Sequence, residues 1–340
     1  MKYIFELNHP KHYYQFKYIM QSLQKQGHEI LVLARDKDVL LKVLEEENVP
    51  YTIFGNHHKS MTTKILGTFA IIKNYLAIAR RFRPDFYVSK GSWYGTFTAK
   101  LMRRKSIIFI DSEVIPLNNL FVVPICTKVI TAQSFKLDYG SKHIRVPGLF
   151  EDCYLSPTVF QADPSVIQRY NLTQPYAILR FVGWEANHDV GRSGFTLQQK
   201  EELVRTVSKY MTVYISSEKP LPESLAKYQL PTPAALIHHV LSAASLYVGD
   251  SQTMATEAAL VGTPAIRSNS FVGPKDMSNF IMLQETYGML FNIADPDDAI
   301  KKAEELASQD HKTEWQQKRE KYYAHTGDIN ATITNLLTNL

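Results

Sequence analysis

The sequence has little cysteine and no long apolar run. Two cysteines, Cys126 and Cys153, stand among 340 residues. They are too few for a disulfide framework and lack the spacing of a zinc site, so we expect a reducing, cytoplasmic environment. No uncharged apolar run approaches the roughly 18 residues of a membrane span. Glu6 interrupts the apolar start of the chain, which argues against a signal peptide.

Other absences narrow the function classes further. The sequence has no low-complexity segment and no internal repeat, and its net charge of +5 is modest for 340 residues. We therefore expect no nucleic-acid partner. No Asp-x-Asp motif stands on a suitable loop, so we expect no metal ion and no other cofactor. The hydrophobic content of 45% is typical of a soluble globular protein, and the length suits two domains of roughly 150 to 180 residues.

Strand and helix patterns alternate through the first half of the chain. Strand-type runs cover residues 2–7, 28–34, 51–54, 86–88 and 106–110, and helix-type stretches cover residues 13–26, 38–48, 62–83 and 94–103. A β-α-β order requires parallel strands joined by crossover helices. The sequence therefore predicts a Rossmann-like domain over residues 1–150.

A second alternation follows a proline-rich, aperiodic stretch, within which we assign residues 151–174 as a linker. The second domain is predicted over residues 175–311, with strands at residues 176–181, 211–215, 234–236, 246–249 and 264–266. Residues 312–340 are predicted to be helical with a break at Gly327, and such a segment is able to cross back onto the first domain. The predicted fold class is α/β with two doubly wound parallel sheets. Ligands of such sheets bind beyond the carboxyl ends of the strands, here in the cleft between domains.

The most informative stretch covers residues 246–267, where an apolar strand run leads through small polar residues into a helix. Backbone N–H groups at a helix start are unpaired and lie at the positive end of the helix dipole, so they suit a diphosphate. Glu257, one turn into the helix, can accept hydrogen bonds from ribose hydroxyls. The residues predicted to bind a nucleotide here are Ser251, Gln252, Thr253, Met254 and Glu257. An ordinary β-α turn capped by Ser251 or Thr253 is the alternative.

A second candidate nucleotide contact lies at the start of the second domain. Arg180 ends a strand, and His188 and Asp189 follow in a loop that contains several glycines. A guanidinium group can hold two oxygens of a diphosphate at once. We therefore predict that Arg180, His188 and Asp189 contact the nucleotide. A neutral loop beside the linker is the alternative.

Groups able to transfer protons are concentrated in the loops after two first-domain strands. Asn8-His9-Pro10-Lys11-His12 follows the first strand, and Asp111-Ser112-Glu113 follows the fifth. Histidine has a pKa near neutrality, and a carboxylate can take a proton from a hydroxyl. The candidate catalytic residues are His9, His12, Asp111 and Glu113. Lys90, in a third loop at the same edge, is predicted to face phosphate. Helix caps in solvated loops are the alternative.

These motifs resemble the DUF354 family of GT-B-like proteins. The resemblance rests on Asn8-His9-Pro10-Lys11-His12, Gly27-His28-Glu29, Ala34-Arg35-Asp36, Asp111-Ser112-Glu113, and Arg180 with His188-Asp189. Glu257-Ala258-Ala259 and Gly262-Thr263-Pro264 resemble the nucleotide motif of GT-B glycosyltransferases and UDP-N-acetylglucosamine 2-epimerases. The resemblance implies a GT-B fold and a metal-independent glycosyltransferase. Such an enzyme moves a sugar from a nucleotide sugar to a sugar or lipid-linked acceptor, in surface polysaccharide or glycolipid biosynthesis.

Two other functions stay open. A nucleotide-sugar 2-epimerase needs paired acid and base groups around the sugar, but the chain departs from that family's pattern. Gly91-Ser92 stands where those enzymes have Gly-Asp, and Asp111-Ser112-Glu113-Val114 replaces their Glu-Ala-Gly-Leu-Arg. The other alternative is a non-catalytic protein that binds a nucleotide sugar.

Residues 59–83 combine an apolar face with bordering cations. Such a helix can lie in an anionic lipid interface, which would place the protein peripherally at the inner face of a membrane. More often, such a helix packs on a sheet with its charges outward. Nothing in the pattern predicts an oligomeric state.

Overall fold

The computed structural model describes the chain except for residues 37–39, 57–60, 115, 183–193, 218 and 275, and except for the side chains of residues 56 and 61–66. The chain divides into two compact units, each built on one parallel sheet. The first unit comprises Met1–Tyr154 and Asp328–Leu340, and the second comprises Leu155–Gly327.

The first unit contains a seven-stranded sheet. Its strands are β1 (Lys2–Leu7), β2 (Glu29–Asp36), β3 (Tyr51–Asn56), β4 (Phe86–Ser89), β5 (Lys105–Phe109), β6 (Lys128–Ala132) and β7 (His143–Val146). The strand order is β3-β2-β1-β4-β5-β6-β7, with parallel pairing throughout. Both faces of the central strands are buried, which is the usual state of a parallel sheet covered by helices.

Six helices follow these strands in chain order. They are α1 (Pro10–Lys25), α2 (Leu40–Glu46), α3 (Met61–Phe82), α4 (Trp93–Leu101), α5 (Pro116–Phe121) and α6 (Asp152–Leu155), at which the chain passes into the second unit. In α1, Phe16, Ile19 and Leu23 recur at helical spacing and are buried in the core. In α3, Ile71, Tyr75 and Ala79 are buried in a cluster with strand residues. The described part of α3 thus packs on the sheet.

The second unit contains a five-stranded parallel sheet. Its strands are β8 (Tyr176–Phe181), β9 (Thr212–Ser217), β10 (Leu246–Gly249), β11 (Ala265–Arg267) and β12 (Leu290–Asn292). Its helices are α7 (Ser165–Arg169), α8 (Leu197–Val207), α9 (Glu223–Ala226), α10 (Ile237–Ala243), α11 (Gln252–Leu260), α12 (Ser278–Glu285), α13 (Pro296–Ala307) and α14 (Lys312–Thr326). The strand order is β12-β11-β10-β8-β9. None of the described helices of either unit is long and apolar enough to cross a membrane.

The last helix returns to the first unit. The chain turns at Gly327, whose φ of 64° favours glycine, and then forms α15 (Ile329–Asn339). Ile329, Ile333 and Leu337 are fully buried in the same core as Phe5 of β1. This helix is therefore part of the first unit's core, although the whole second unit precedes it in sequence.

One strand expected from the sequence is replaced by a turn. Residues 234–236 form a 3-10 turn, not a strand, and Pro231 and Pro233 just before it lack the amide donors that strand pairing needs. The boundary between the two units falls within the range assigned as a linker, residues 151–174. Asp152 and Cys153 are buried in the first unit, and the later part of the range includes α7 of the second unit.

Candidate functional site

His9 and His12 lie at the start of α1, directly after β1. His9 is the N-cap of that helix, and its Nδ1 accepts the Lys11 amide hydrogen bond at 3.1 Å. Pro10 at the first helical position lacks an amide that would need a partner there. The His9 side chain therefore serves the helix end through Nδ1, although the residue as a whole is exposed.

His12 is held as a neutral imidazole by its surroundings. Burial is the largest cause that lowers the pKa of His12 to about 3, and the Lys90 ammonium adds to it. The Asn8 amide donates to Nδ1 of His12 at 3.3 Å. The single ring proton of the neutral imidazole therefore lies on Nε2, since Nδ1 is the acceptor. His12 is suited to donate a hydrogen bond and not to remove a proton.

Asp111 belongs to a compact ion cluster. Its Oδ2 lies 2.9 Å from Lys90 Nζ and 3.9 Å from Lys11 Nζ, while Lys11 also lies 2.8 Å from Glu151. Desolvation by nearby groups opposes ionisation of Asp111, whose side chain is 40% exposed, but Lys90 and then Lys11 outweigh it and hold the carboxyl pKa below its usual range. Lys90, which we expected to face phosphate, is buried against Phe150 and paired with Asp111. Asp111 is therefore a poor base but a strong acceptor.

Glu113 has different partners from Asp111. Its Oε1 accepts the Lys136 amide at 3.3 Å, whereas the Lys90 ammonium pairs with Asp111. The two carboxylates predicted as a pair are thus separated in role. Asp111 is fixed by ammonium groups, whereas Glu113 lies in the loop that leads to α5.

Glu6 is a functional candidate that was not predicted from the sequence. It lies within β1, is fully buried, and accepts hydrogen bonds from the Ser92 hydroxyl, from Asn8 Nδ2 at 3.0 Å and from the Gly95 amide at 3.0 Å. Burial raises its pKa, which the three donors oppose. The carboxylate lies at the start of α4, where helix amides favour a negative charge. A charged residue inside an apolar strand run was the available signal.

In the second unit, the turn between β10 and α11 has the predicted form. Ser251 is the N-cap, and its Oγ accepts the Met254 amide at 3.3 Å. The amides of Gln252 and Thr253 stand in the first turn of the same helix, where amides have no partner within the helix itself. The turn thus combines a capped start with first-turn donors at the positive end of the dipole.

Glu257 lies one turn further into α11 and is buried. Its Oε1 lies 3.3 Å from Nε2 of His238, a residue of α10. The His238 ring in turn contacts Phe160, with ring centroids 6.2 Å apart. The carboxylate is therefore held in a defined position by a neighbouring helix, as a ligand contact requires.

Arg180 lies at the same strand edge. Its Nη1 donates to Ser216 Oγ at 2.9 Å, and its backbone carbonyl accepts the Asp250 amide at 3.2 Å. Asp250, which was not predicted as a site residue, is buried, and its carboxylate accepts the Val182 amide at 2.8 Å. A Cβ at Gly194 would overlap this carboxylate, so only glycine fits there. His188 and Asp189 lie outside the described residues.

A buried arginine stands at the end of the neighbouring strand. Arg267 forms an ion pair with Asp276, and its Nε donates to Asn292 Oδ1 at 2.9 Å. Its guanidinium stacks 3.4 Å from the centre of the Phe280 ring. This arginine holds β11, α12 and β12 together at the carboxyl edge of the sheet.

A surface groove of about 700 Å³ lies elsewhere in the second unit. Its lining residues include Tyr210, Tyr214 and Tyr228, and it flanks the amino ends of β8 and β9. Parallel sheets bind ligands at the carboxyl ends of their strands. We therefore assign the candidate site to the β10–α11 turn and not to this groove.

No group of three or more His, Cys, Asp or Glu side chains is placed to hold a metal ion among the residues that the structure describes. The charged residues described above are instead engaged in ion pairs, caps and backbone contacts.

Comparisons with known proteins show which families and folds the chain resembles. Residues 2–144 match a family model described as a protein of unknown function, DUF354. A comparison with curated proteins gives no match.

Solved structures resemble the chain over its whole length. The UDP-GlcNAc 2-epimerase from Methanocaldococcus jannaschii has a TM-score of 0.72 at 14% sequence identity, with 100% of both chains covered. The UDP-GlcNAc 2-epimerase from Neisseria meningitidis, bound to UDP-GlcNAc, has a TM-score of 0.66 at 13% identity, with 100% of both chains covered. The glycosyltransferase VinC in complex with dTDP has a TM-score of 0.65 at 13% identity, with 99% of both chains covered. The predicted fold class, two parallel-sheet α/β domains of the GT-B type, is confirmed.

Proposed function

We propose that this chain is a glycosyltransferase. Residues 2–144, within the first unit, match the DUF354 model, and the chain as a whole has a GT-B fold. It moves a sugar from a nucleotide-sugar donor to a hydroxyl group of an acceptor. Donor binding is assigned to the second unit, and acceptor binding and proton removal to the first. We further propose that the protein works in the cytoplasm on a sugar or lipid-linked acceptor of surface polysaccharide or glycolipid biosynthesis.

The observation that carries the proposal is the start of α11. A Ser251 cap, first-turn amides and the buried Glu257 offer donors for a diphosphate and an acceptor for ribose hydroxyls on one helix. Similar folds bind such ligands, since the Neisseria meningitidis epimerase is bound to UDP-GlcNAc and VinC is in complex with dTDP. Helix amides and Arg180, without a metal ion, would meet the charge of the leaving diphosphate.

The first unit supplies the acceptor chemistry. We assign proton removal to Glu113. Asp111 is too weak a base, because Lys90 lowers its pKa. His12 has no ring nitrogen free to take a proton, because Nδ1 accepts the Asn8 amide and Nε2 carries the ring proton. As the acceptor oxygen bonds to the sugar's anomeric carbon, its proton passes to Glu113 and the bond to the nucleotide diphosphate breaks. Asp111 accepts from, and His12 donates to, neighbouring acceptor hydroxyls.

The first test is nucleotide binding, measured as the shift in thermal unfolding that UDP, GDP, CMP, dTDP and their sugars cause. A ligand at a hundred times its dissociation constant adds about 2.7 kcal/mol of stability. We expect a shift with one nucleotide that disappears in Glu257→Ala and persists in Glu305→Ala, a control carboxylate exposed on α13. No shift with any nucleotide would overturn the proposal. In Glu113→Gln, the nucleotide shift should persist while sugar transfer is lost.

Epimerisation is the second candidate, because a 2-epimerase shares the fold at a TM-score of 0.72. The structure gives Ser92, which stands where the epimerase pattern has Asp, the role of cap for α4 and donor to Glu6. A nucleotide sugar incubated with the protein and no acceptor distinguishes the reactions. An epimerase yields a second nucleotide sugar by NMR, and a transferase leaves the donor unchanged.

A further inference from the structure

Helix α5 presents its apolar side to solvent and its polar side to the first unit. Asn118 Nδ2 donates to the Gly91 carbonyl at 3.0 Å, and Asn119 Oδ1 accepts the Tyr139 hydroxyl at 2.8 Å. The opposite side forms what we call the α5 patch. Its members and their exposed fractions are Val114 at 61%, Leu117 at 69%, Leu120 at 64% and Phe121 at 52%. Leu117, Leu120 and Phe121 recur at helical spacing and so share one face.

The patch contributes little to the fold, because the helix is held by other groups. Val122, directly after α5, is buried in a cluster with Ile108 and Cys126. Single exposed apolar side chains are common, whereas a contiguous patch marks an interaction surface. The burial of Val122 and the two asparagine contacts explain why α5 is present, and they leave the exposed leucines and Phe121 without a structural role.

Cations flank the patch at both ends. Lys142 Nζ donates to the carbonyls of Val123 and Pro124, just past the end of α5, at 3.2 and 2.7 Å. At the other end, the amide of the exposed Lys136 contacts Glu113, the residue before Val114. Residues 114–127 carry no charge, and residues 112–145 carry four cations against two carboxylates, a net charge of +2.

This charge pattern decides between occupants. A second copy of the chain, packed patch to patch, would bring like-charged lysines together and gain on the order of 400 Å², about half of the 800 Å² that each partner of a stable interface buries. An anionic lipid surface instead satisfies both features, because acyl chains receive apolar side chains while headgroups attract lysines.

We propose that the α5 patch docks on the surface of a membrane that contains anionic lipids. Leu117, Leu120 and Phe121 enter the boundary between headgroups and acyl chains, and Lys136 and Lys142 lie at the headgroups. Docking places the Asp111–Glu113 loop beside the lipid, since the patch begins at the next residue. The surface differs from the one predicted at residues 59–83, and it does not depend on the proposed sugar transfer.

The test is co-sedimentation of the full chain with vesicles, without nucleotide. We expect binding to vesicles of phosphatidylcholine with phosphatidylglycerol, and at least tenfold weaker binding to phosphatidylcholine alone. Leu117→Ser/Leu120→Ser/Phe121→Ser should lower binding at least tenfold, and Lys136→Gln should lower it about fivefold. Phe69→Ser on α3, which removes a side chain that is 70% exposed, is the matched control and should bind like the wild type.

Several outcomes would overturn the proposal. They are absence of binding to anionic vesicles, equal loss in Phe69→Ser, or a triple variant that binds vesicles normally but has a smaller oligomeric mass in light scattering. The last result would assign the patch to a second copy of the chain. Because the substituted side chains are exposed, circular dichroism should show an unchanged fold, and Val114→Ser provides a milder variant if it does not.

Discussion

At the scale of single residues, Arg267 and Asp276 form a buried ion pair in the second unit. Both side chains are buried, and burial lowers the pKa of Arg267 to about 10 while Asp276 opposes that shift. Asp276→Asn leaves a buried cation without its counter-charge, which costs about 3–5 kcal/mol of unfolding free energy. Urea unfolding measures the loss. Asp298→Asn, which breaks the exposed pair with Lys301, should change little and serves as the control.

His12 makes a second prediction at this scale. Its pKa falls from 6.5 to about 3 on folding, so between these values the unfolded chain binds a proton that the folded chain does not. Its contribution to stability is therefore complete above about pH 6.5 and is lost as the pH falls toward 3. We expect the wild type to lose on the order of 2 kcal/mol more than His12→Asn between pH 7 and pH 4.5.

Urea unfolding at the two pH values measures this difference. Asn keeps an acceptor for the Asn8 amide but does not titrate. Equal losses in both proteins would mean that His12 is protonated in the folded state, and its role as a neutral donor would then fail.

At the scale of elements, the sequence predicted the strands whose apolar runs are clearly bounded and missed three others. β1, β8 and β10 have the predicted bounds, because each is an apolar run that ends in glycine or a polar loop. β6, β7 and β12 were not predicted, because each has only three to five residues and too short a run for a period to show. Helix α5 was also missed, because its six residues are fewer than the window in which a helical period can be recognised.

The candidate site was predictable where it depends on strand ends and helix starts. Ser251 as the cap of α11 and the position of Glu257 one turn later follow from local sequence. Local sequence does not predict the pairing of Asp111 with Lys90 or the contact of Glu257 with His238. Each joins residues that follow different strands of the sheet. Long-range contacts of this kind depend on the packing of helices around the sheet, which no local pattern records.

At the scale of the whole molecule, the two units differ in how they can fold alone. The second unit is one continuous segment, whereas the first requires residues 328–340. Removing α15 takes away the buried side chains of Ile329, Ile333 and Leu337. Burial of each stabilises the fold by roughly 1.5–3 kcal/mol. The summed loss is comparable with the free energy of unfolding of a whole domain. We expect fragment 155–327 to be folded and fragment 1–154 to be unfolded, by circular dichroism and proton NMR. A cooperative thermal transition in fragment 1–154 would contradict this.

The return of α15 also reverses the order of completion during synthesis. Residues 1–154 leave the ribosome first, yet the helix that closes their core arrives only after the second unit has been made. At translation rates of about 5–20 residues per second, that core remains without its last helix for roughly ten to forty seconds. During this interval the apolar core around Tyr3 and Phe5, which α15 later covers, is exposed on the nascent chain. A chaperone, or the α15 of another chain, can cover it instead. The beginning of this protein is therefore the last part to become native.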